Sequence, residues 1–75
     1  MNKKDRKKIA SINDILDKAN NRILELKIEL EEKQANTEEY FPNMTEQLED
    51  EITALGCASE YVTDAIQTLE ETVEV

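Results

Sequence analysis

A chain of 75 residues, 36% of them charged, with three aromatics and a net charge of −9, makes one small domain with a thin core. Its single cysteine, Cys57, and its lack of histidine exclude an internal disulfide and leave too few ligands for zinc, haem or an iron–sulfur cluster. Extra stability is therefore expected from oligomerisation or a binding partner, and no metal or cofactor is expected.

The chain begins with a basic stub, Lys3, Lys4, Arg6, Lys7 and Lys8 against Asp5. It leads into IASINDIL, which Ser11, Asn13 and Asp14 interrupt, so it does not read as a signal-peptide core. No apolar run approaches the roughly 18–20 residues of a membrane span. A free thiol without an export signal fits a reducing, cytoplasmic setting. Lysines at a helix start oppose the helix dipole, but an antiparallel second helix would bring Glu70, Glu71 and Glu74 across from them. Charge compensation of that kind is the plain reading of the stub. A nucleic-acid-binding arm would work against the eleven acids and no bases of residues 34–75, so direct nucleic-acid contact is not expected.

From residue 9 to residue 33, Ile9, Ile12, Leu16, Ala19, Ile23, Leu26, Leu30 and Lys33 follow at steps of three and four, and only Lys33 breaks the apolar line. This is the a/d pattern of a coiled-coil-like helix. Asp14/Lys18 and Glu29/Lys33 have the spacing of helix-surface ion pairs. Leu24 and Ile28 lie off this seam and, with Ile15, widen the apolar surface beyond what one partner helix covers. These three residues are the expected self-association surface of a homodimer.

Helix formers then give way to QANTEEYFPNMT. Asn36 with Glu39, and Asn43 with Glu46, have capping-box spacing, and Pro42 should bar helix through the residue before it. Phe41 is expected to plug the core against Leu30, Met44 and Leu48, leaving Tyr40 as a candidate contact. Asn43-Met44-Thr45 matches a glycosylation sequon but reads as a turn.

The second run is Leu48, Ile52, Leu55, Ser59, Val62, Ile66, Leu69 and Val73. The expected fold is all-α: an antiparallel two-helix hairpin over residues 1–75, with helix 1 at about 5–35, a turn at about 36–43 and helix 2 at about 44–73. Two such hairpins would pair into a four-helix bundle. Pairing around residue 39 sets Ala19 against Ser59, beside Gly56, Cys57 and Ala58. At this waist the helices either approach closely or admit a side chain from another molecule.

Catalysis finds little support, because two exposed helices form no pocket to perturb a carboxylate. Cys57 has no histidine to activate it and reads as a buried or half-buried structural thiol. The single glycine excludes a phosphate-cradling loop. The chain is expected not to be an enzyme. A ridge of Glu46, Asp50, Glu60, Asp64, Glu71 and Glu74 on the outer side of helix 2 suits a basic protein surface instead. Its pairs Glu46/Asp50, Glu60/Asp64 and Glu70/Glu74 place like charges one turn apart, which disfavours the helix. Glu46, Asp50, Glu60 and Asp64, with Tyr40 as anchor, are the candidate partner-binding residues.

The stretches DRKKI, EEKQANTEEYFPNM and LEETVEV resemble a family of very small acidic proteins of Gram-positive phages and mobile elements. The resemblance is best over Lys4 to Ile9 and Leu30 to Met44. The order Phe41-Pro42-Asn43-Met44 and the segment Gly56-Cys57-Ala58 depart from it. The resemblance implies a phage-borne accessory protein acting on a component of its bacterial host. By analogy, that setting suggests an inhibitor of host defence of the anti-CRISPR or anti-restriction type, some of which mimic DNA. The alternative is a structural or assembly protein, a homodimer whose surface acids only keep it dissolved.

Overall fold

The computed structural model describes residues 1–40 and 45–74, with the side chains of residues 37–40, 45 and 74 left aside. Two helices, α1 (Lys3–Tyr40) and α2 (Thr45–Glu74), pack against each other as a hairpin, and no strand occurs among the described residues. At about 1.5 Å per residue, the 38 residues of α1 account for the 57 Å length of the molecule, whose other extents are 15 and 11 Å.

Helix α1 is longer at both ends than the sequence pattern suggests. Its start is capped by Asn2, whose Oδ1 accepts a 2.8 Å hydrogen bond from the Asp5 amide. The stub is thereby drawn into the first helical turns, where Asp5 also suits the dipole. At the other end α1 runs past residue 35 to Tyr40, so Asn36 is a helical residue and not a cap. Glutamine, alanine and glutamate favour helix, and Asn36 and Thr37 each oppose it by only tenths of a kcal/mol. The steric bar falls one residue before Pro42, at the position after Tyr40. The expected plug at Phe41, its contact Met44 and the expected cap Asn43 lie outside the described residues.

Along α2 the expected seam holds in full. Leu48 is buried at 6% exposure, and Ile52, Leu55, Ser59, Val62, Ile66, Leu69 and Val73 are half-buried. Three threonines on the exposed side return their hydroxyls to carbonyls four residues earlier, Thr63 to Ser59, Thr68 to Asp64 and Thr72 to Thr68.

Along α1 the expected seam holds at five of its eight places. Ile9, Leu16, Ala19, Ile23 and Leu30 are half-buried, whereas Ile12 and Leu26 are 46% and 45% exposed and Lys33 is exposed. The alternate places are taken by Asn13, Asn20, Lys27 and Gln34, all half-buried, with Ala19 beside them. Exchanging each i+3 neighbour for the i+4 neighbour turns the buried stripe by about 50° around the helix. One physical reason is Ser59. Against Ala19 its half-buried hydroxyl would find no acceptor across the interface, whereas in the observed packing it donates a 2.6 Å hydrogen bond to Asn20 Oδ1. The rotation leaves a debit at Asn13, whose Oδ1 is buried without a partner.

Lys27 settles the waist. Its side chain lies over Gly56, so that a Cβ at Gly56 would meet Lys27 Nζ at 3.6 Å and Cε at 3.8 Å, ordinary contact distances. The gap beside the glycine is filled from within the chain, by a lysine stem whose charged head remains accessible and lies 3.9 Å from Glu31. Of the ion pairs expected on α1, Asp14–Lys18 closes at 3.2 Å and Glu29–Lys33 does not.

Candidate functional site

The seam fixes which side of α2 meets solvent. Glu46, Asp50, Glu60, Asp64 and Glu71 are all exposed on the side away from α1, with Thr53, Cys57 and Gln67 exposed between them. No lysine or arginine occurs anywhere in α2. On this ridge Gln67 donates to Glu71 at 3.3 Å, and nearer the helix start Gln47 donates to Glu51 at 3.4 Å. The thiol of Cys57 is exposed on the same side, which overturns the expectation of a buried or half-buried structural cysteine. A seam of four-then-three spacing leaves position 57 pointing away from α1, and the small neighbours of the waist do not cover it.

Tyr40, the candidate anchor, belongs to α1 by its backbone, and its side chain lies outside those described. Ile15, Leu24 and Ile28 are 65%, 39% and 55% exposed. They do not form one face. At about 100° per residue, Leu24 lies about 180° around α1 from Ile15, and Ile28 about 140°. One partner surface cannot cover all three.

The rotation of α1 regroups these residues. Ile15 falls in line with Ile12, Ala19 and Leu26 on one flank, and Leu26 shares an open groove with Leu30, Glu51, Ala54 and Leu55 of the hairpin. This flank of α2 continues through Ala58, Tyr61, Ala65, Thr68 and Thr72 and bears no acid beyond Glu51. Tyr61 is 74% exposed there, the most exposed of the large apolar side chains among the described residues. The sequence signal for it was present: Ala54, Ala58, Tyr61 and Ala65 step by four, three and four, an acid-free row beside the acidic ridge.

The opposite face carries Leu24 and Ile28 among polar and charged side chains. Arg6, Ile9, Ala10, Asn13, Glu70 and Val73 line a second open depression there. Arg6 and Glu70 share it without closing to an ion pair, so the stub's compensation by α2 is one of proximity among the described residues. No group of three or more metal-binding side chains gathers among them, and no helix is long and apolar enough to cross a membrane.

Comparison with protein families, with curated proteins and with solved structures returns no match to this chain.

Proposed function

We propose that this chain is a non-enzymatic acidic binding protein that occupies a basic, nucleic-acid-binding surface of a host defence or regulatory complex. The observation that carries this reading is the outer side of α2, where exposed carboxylates recur along a 30-residue helix without one basic side chain. Charges of one sign on a narrow rod hold a partner of the other sign and repel nucleic acid itself. The pairs Glu46/Asp50 and Glu60/Asp64 each cost the helix a few tenths of a kcal/mol, a burden that solubility alone does not require. Glu46, Asp50, Glu60 and Asp64 supply the charge, and Tyr40 the anchor. The resemblance to phage and mobile-element proteins adds the setting, an inhibitor of the anti-CRISPR or anti-restriction type in the bacterial cytoplasm.

The test is charge reversal. Glu60→Lys with Asp64→Lys, at positions pointing into solvent, should leave far-UV circular dichroism unchanged and abolish retention of a basic target complex. Undiminished retention would sink the charge-based reading.

A second reading is favoured by a different observation, the large apolar side chains left exposed on α1. In it the chain is an assembly protein, a homodimeric four-helix bundle. A solution mass of 8.6 kDa at every concentration would rule that out.

A further inference from the structure

We infer that the chain pairs with a second copy of itself through one face of the hairpin, the two rods running antiparallel. The face consists of Ile12, Ile15, Ala19 and Leu26 on α1 with Ala54, Ala58, Tyr61 and Ala65 on α2. This deepens the assembly reading above and rests on it.

The area argues for a partner of this size. A compact protein of this mass would expose roughly 4,700 Å², and the hairpin exposes 5904 Å². The excess, roughly 1,200 Å², is more than the roughly 800 Å² that each partner contributes to a standard interface. Only Leu48 is truly buried among the described residues, so the hairpin alone lacks the core that a chain of this length needs.

Both helices contribute to the face, as face-to-face packing of two hairpins requires. Leu26 and Ala54 border one groove, and the Asn20–Ser59 bond fixes the register that brings Tyr61 near the level of Ala19 and Ala65 near that of Ile15. The α2 row offers one large side chain, Tyr61, among small ones. A surface with a knob and adjacent hollows can be complementary to itself across a two-fold axis. The charges on this flank are Lys8, Arg22, Glu29 and Lys33 on α1 and Glu51 on α2, and none of them falls between Ile12 and Ala19.

Charge decides the direction. Residues 28–52, around the end where α1 stops and α2 starts, hold nine acids and Lys33, a net of −8, while at the other end the +4 of residues 1–8 and the three acids Glu70, Glu71 and Glu74 leave a net of +1. Within one chain these groups sit at opposite ends of a 57 Å rod, far beyond the screening length of about 8 Å at physiological salt. A second copy laid antiparallel brings each basic stub to the other's acidic end. A parallel copy would stack the two acidic ends together. Packing through the outer side of α2 would oppose two base-free helices. Antiparallel pairing through the flank leaves both acidic ridges facing solvent.

Sedimentation equilibrium of the full chain should give twice its 8.6 kDa mass. Ile15→Glu with Ala65→Glu should return it to the monomer mass, while Leu24→Glu with Ile28→Glu, on the other flank, should remain dimeric. Wild-type protein that stays monomeric at tens of micromolar overturns the dimer itself. A dimer that the Leu24/Ile28 variant breaks and the Ile15/Ala65 variant spares overturns the face and leaves the dimer standing. Direction is read from a spin label at Lys4→Cys in a Cys57→Ser background. A label-to-label distance approaching the 57 Å rod length supports antiparallel pairing, and one under half of it overturns it.

Discussion

Asn13 and Asn20 occupy the same seam position one heptad apart, and they differ in one respect. Asn20 accepts a 2.6 Å hydrogen bond from Ser59, whereas Asn13 Oδ1 exposes less than 1 Å² and has no partner. Leucine at each site therefore makes a matched experiment. Asn13→Leu removes the desolvation cost of an orphaned acceptor, about 1–3 kcal/mol, and gains several tenths of a kcal/mol in helix propensity. Asn20→Leu has the same propensity gain but forfeits a net hydrogen bond of about 0.5–1.5 kcal/mol. It also leaves the Ser59 hydroxyl to turn back toward the carbonyl four residues earlier. The expectation is a stabilisation of about 2 kcal/mol at position 13, with little change at position 20. In a domain of this size that separates the two melting temperatures by roughly 8 °C or more. Urea unfolding followed by far-UV circular dichroism checks it, at one fixed protein concentration because self-association would shift the midpoints. If Asn20→Leu stabilises as much as Asn13→Leu, the seam responds only to hydrophobicity and the hydrogen-bond argument is wrong. If Asn13→Leu destabilises, the packing of α1 described above is wrong.

Two further substitutions have simpler outcomes. Gly56→Ala should stabilise by about 0.8–1.0 kcal/mol, because a helix-interior glycine is replaced and the new Cβ meets only the end of Lys27 at 3.6 Å. A lowered melting temperature would mean that the waist is tighter than that distance allows. Cys57, being exposed, should alkylate fully in the folded protein without loss of helicity. Protection from the reagent until denaturant is added would contradict its placement on the outer side of α2.

The sequence pattern was fully legible in α2 and partly legible in α1, and the reason is physical. Along α2 the apolar residues are spaced so that only one stripe is possible, and the seam from Leu48 to Val73 is that stripe. Along α1 there are two overlapping stripes, because Ile9, Leu16, Ile23 and Leu30 can be completed by Ile12 and Leu26 or by Asn13, Asn20 and Lys27. A ruler that scores one helix at a time prefers the apolar completion. The choice turns on what each position meets across the interface, and Ser59 and Gly56 are met by Asn20 and Lys27. The end of α1 is hard to read from the sequence because Asn36-Thr37 resembles a break, yet neither residue costs enough to stop a helix, and α1 runs on to Tyr40. Tyr40 stands out in the sequence because it lies beside Phe41 and Pro42, while Tyr61 is conspicuous only once the acids have been sorted to one side of α2. The acidic ridge needed no structure to find, since the absence of bases after Lys33 is plain in the chain.

The Asn20–Ser59 bond also governs how the hairpin can come apart. If the helices slid past each other by one heptad, position 59 would be replaced opposite Asn20 by Ile52 or Ile66, and the amide would be pressed against a branched hydrocarbon. Slippage of the two arms is thus blocked at the middle of the rod by one polar pair, whatever happens at the ends. Fraying can enter from the capped start of α1 or from the end of α2 and travel inward, but it must stop or break that pair. Backbone amides around Asn20 and Ser59 should accordingly exchange slowest, with protection falling off toward both ends, a pattern that native-state hydrogen exchange would read directly.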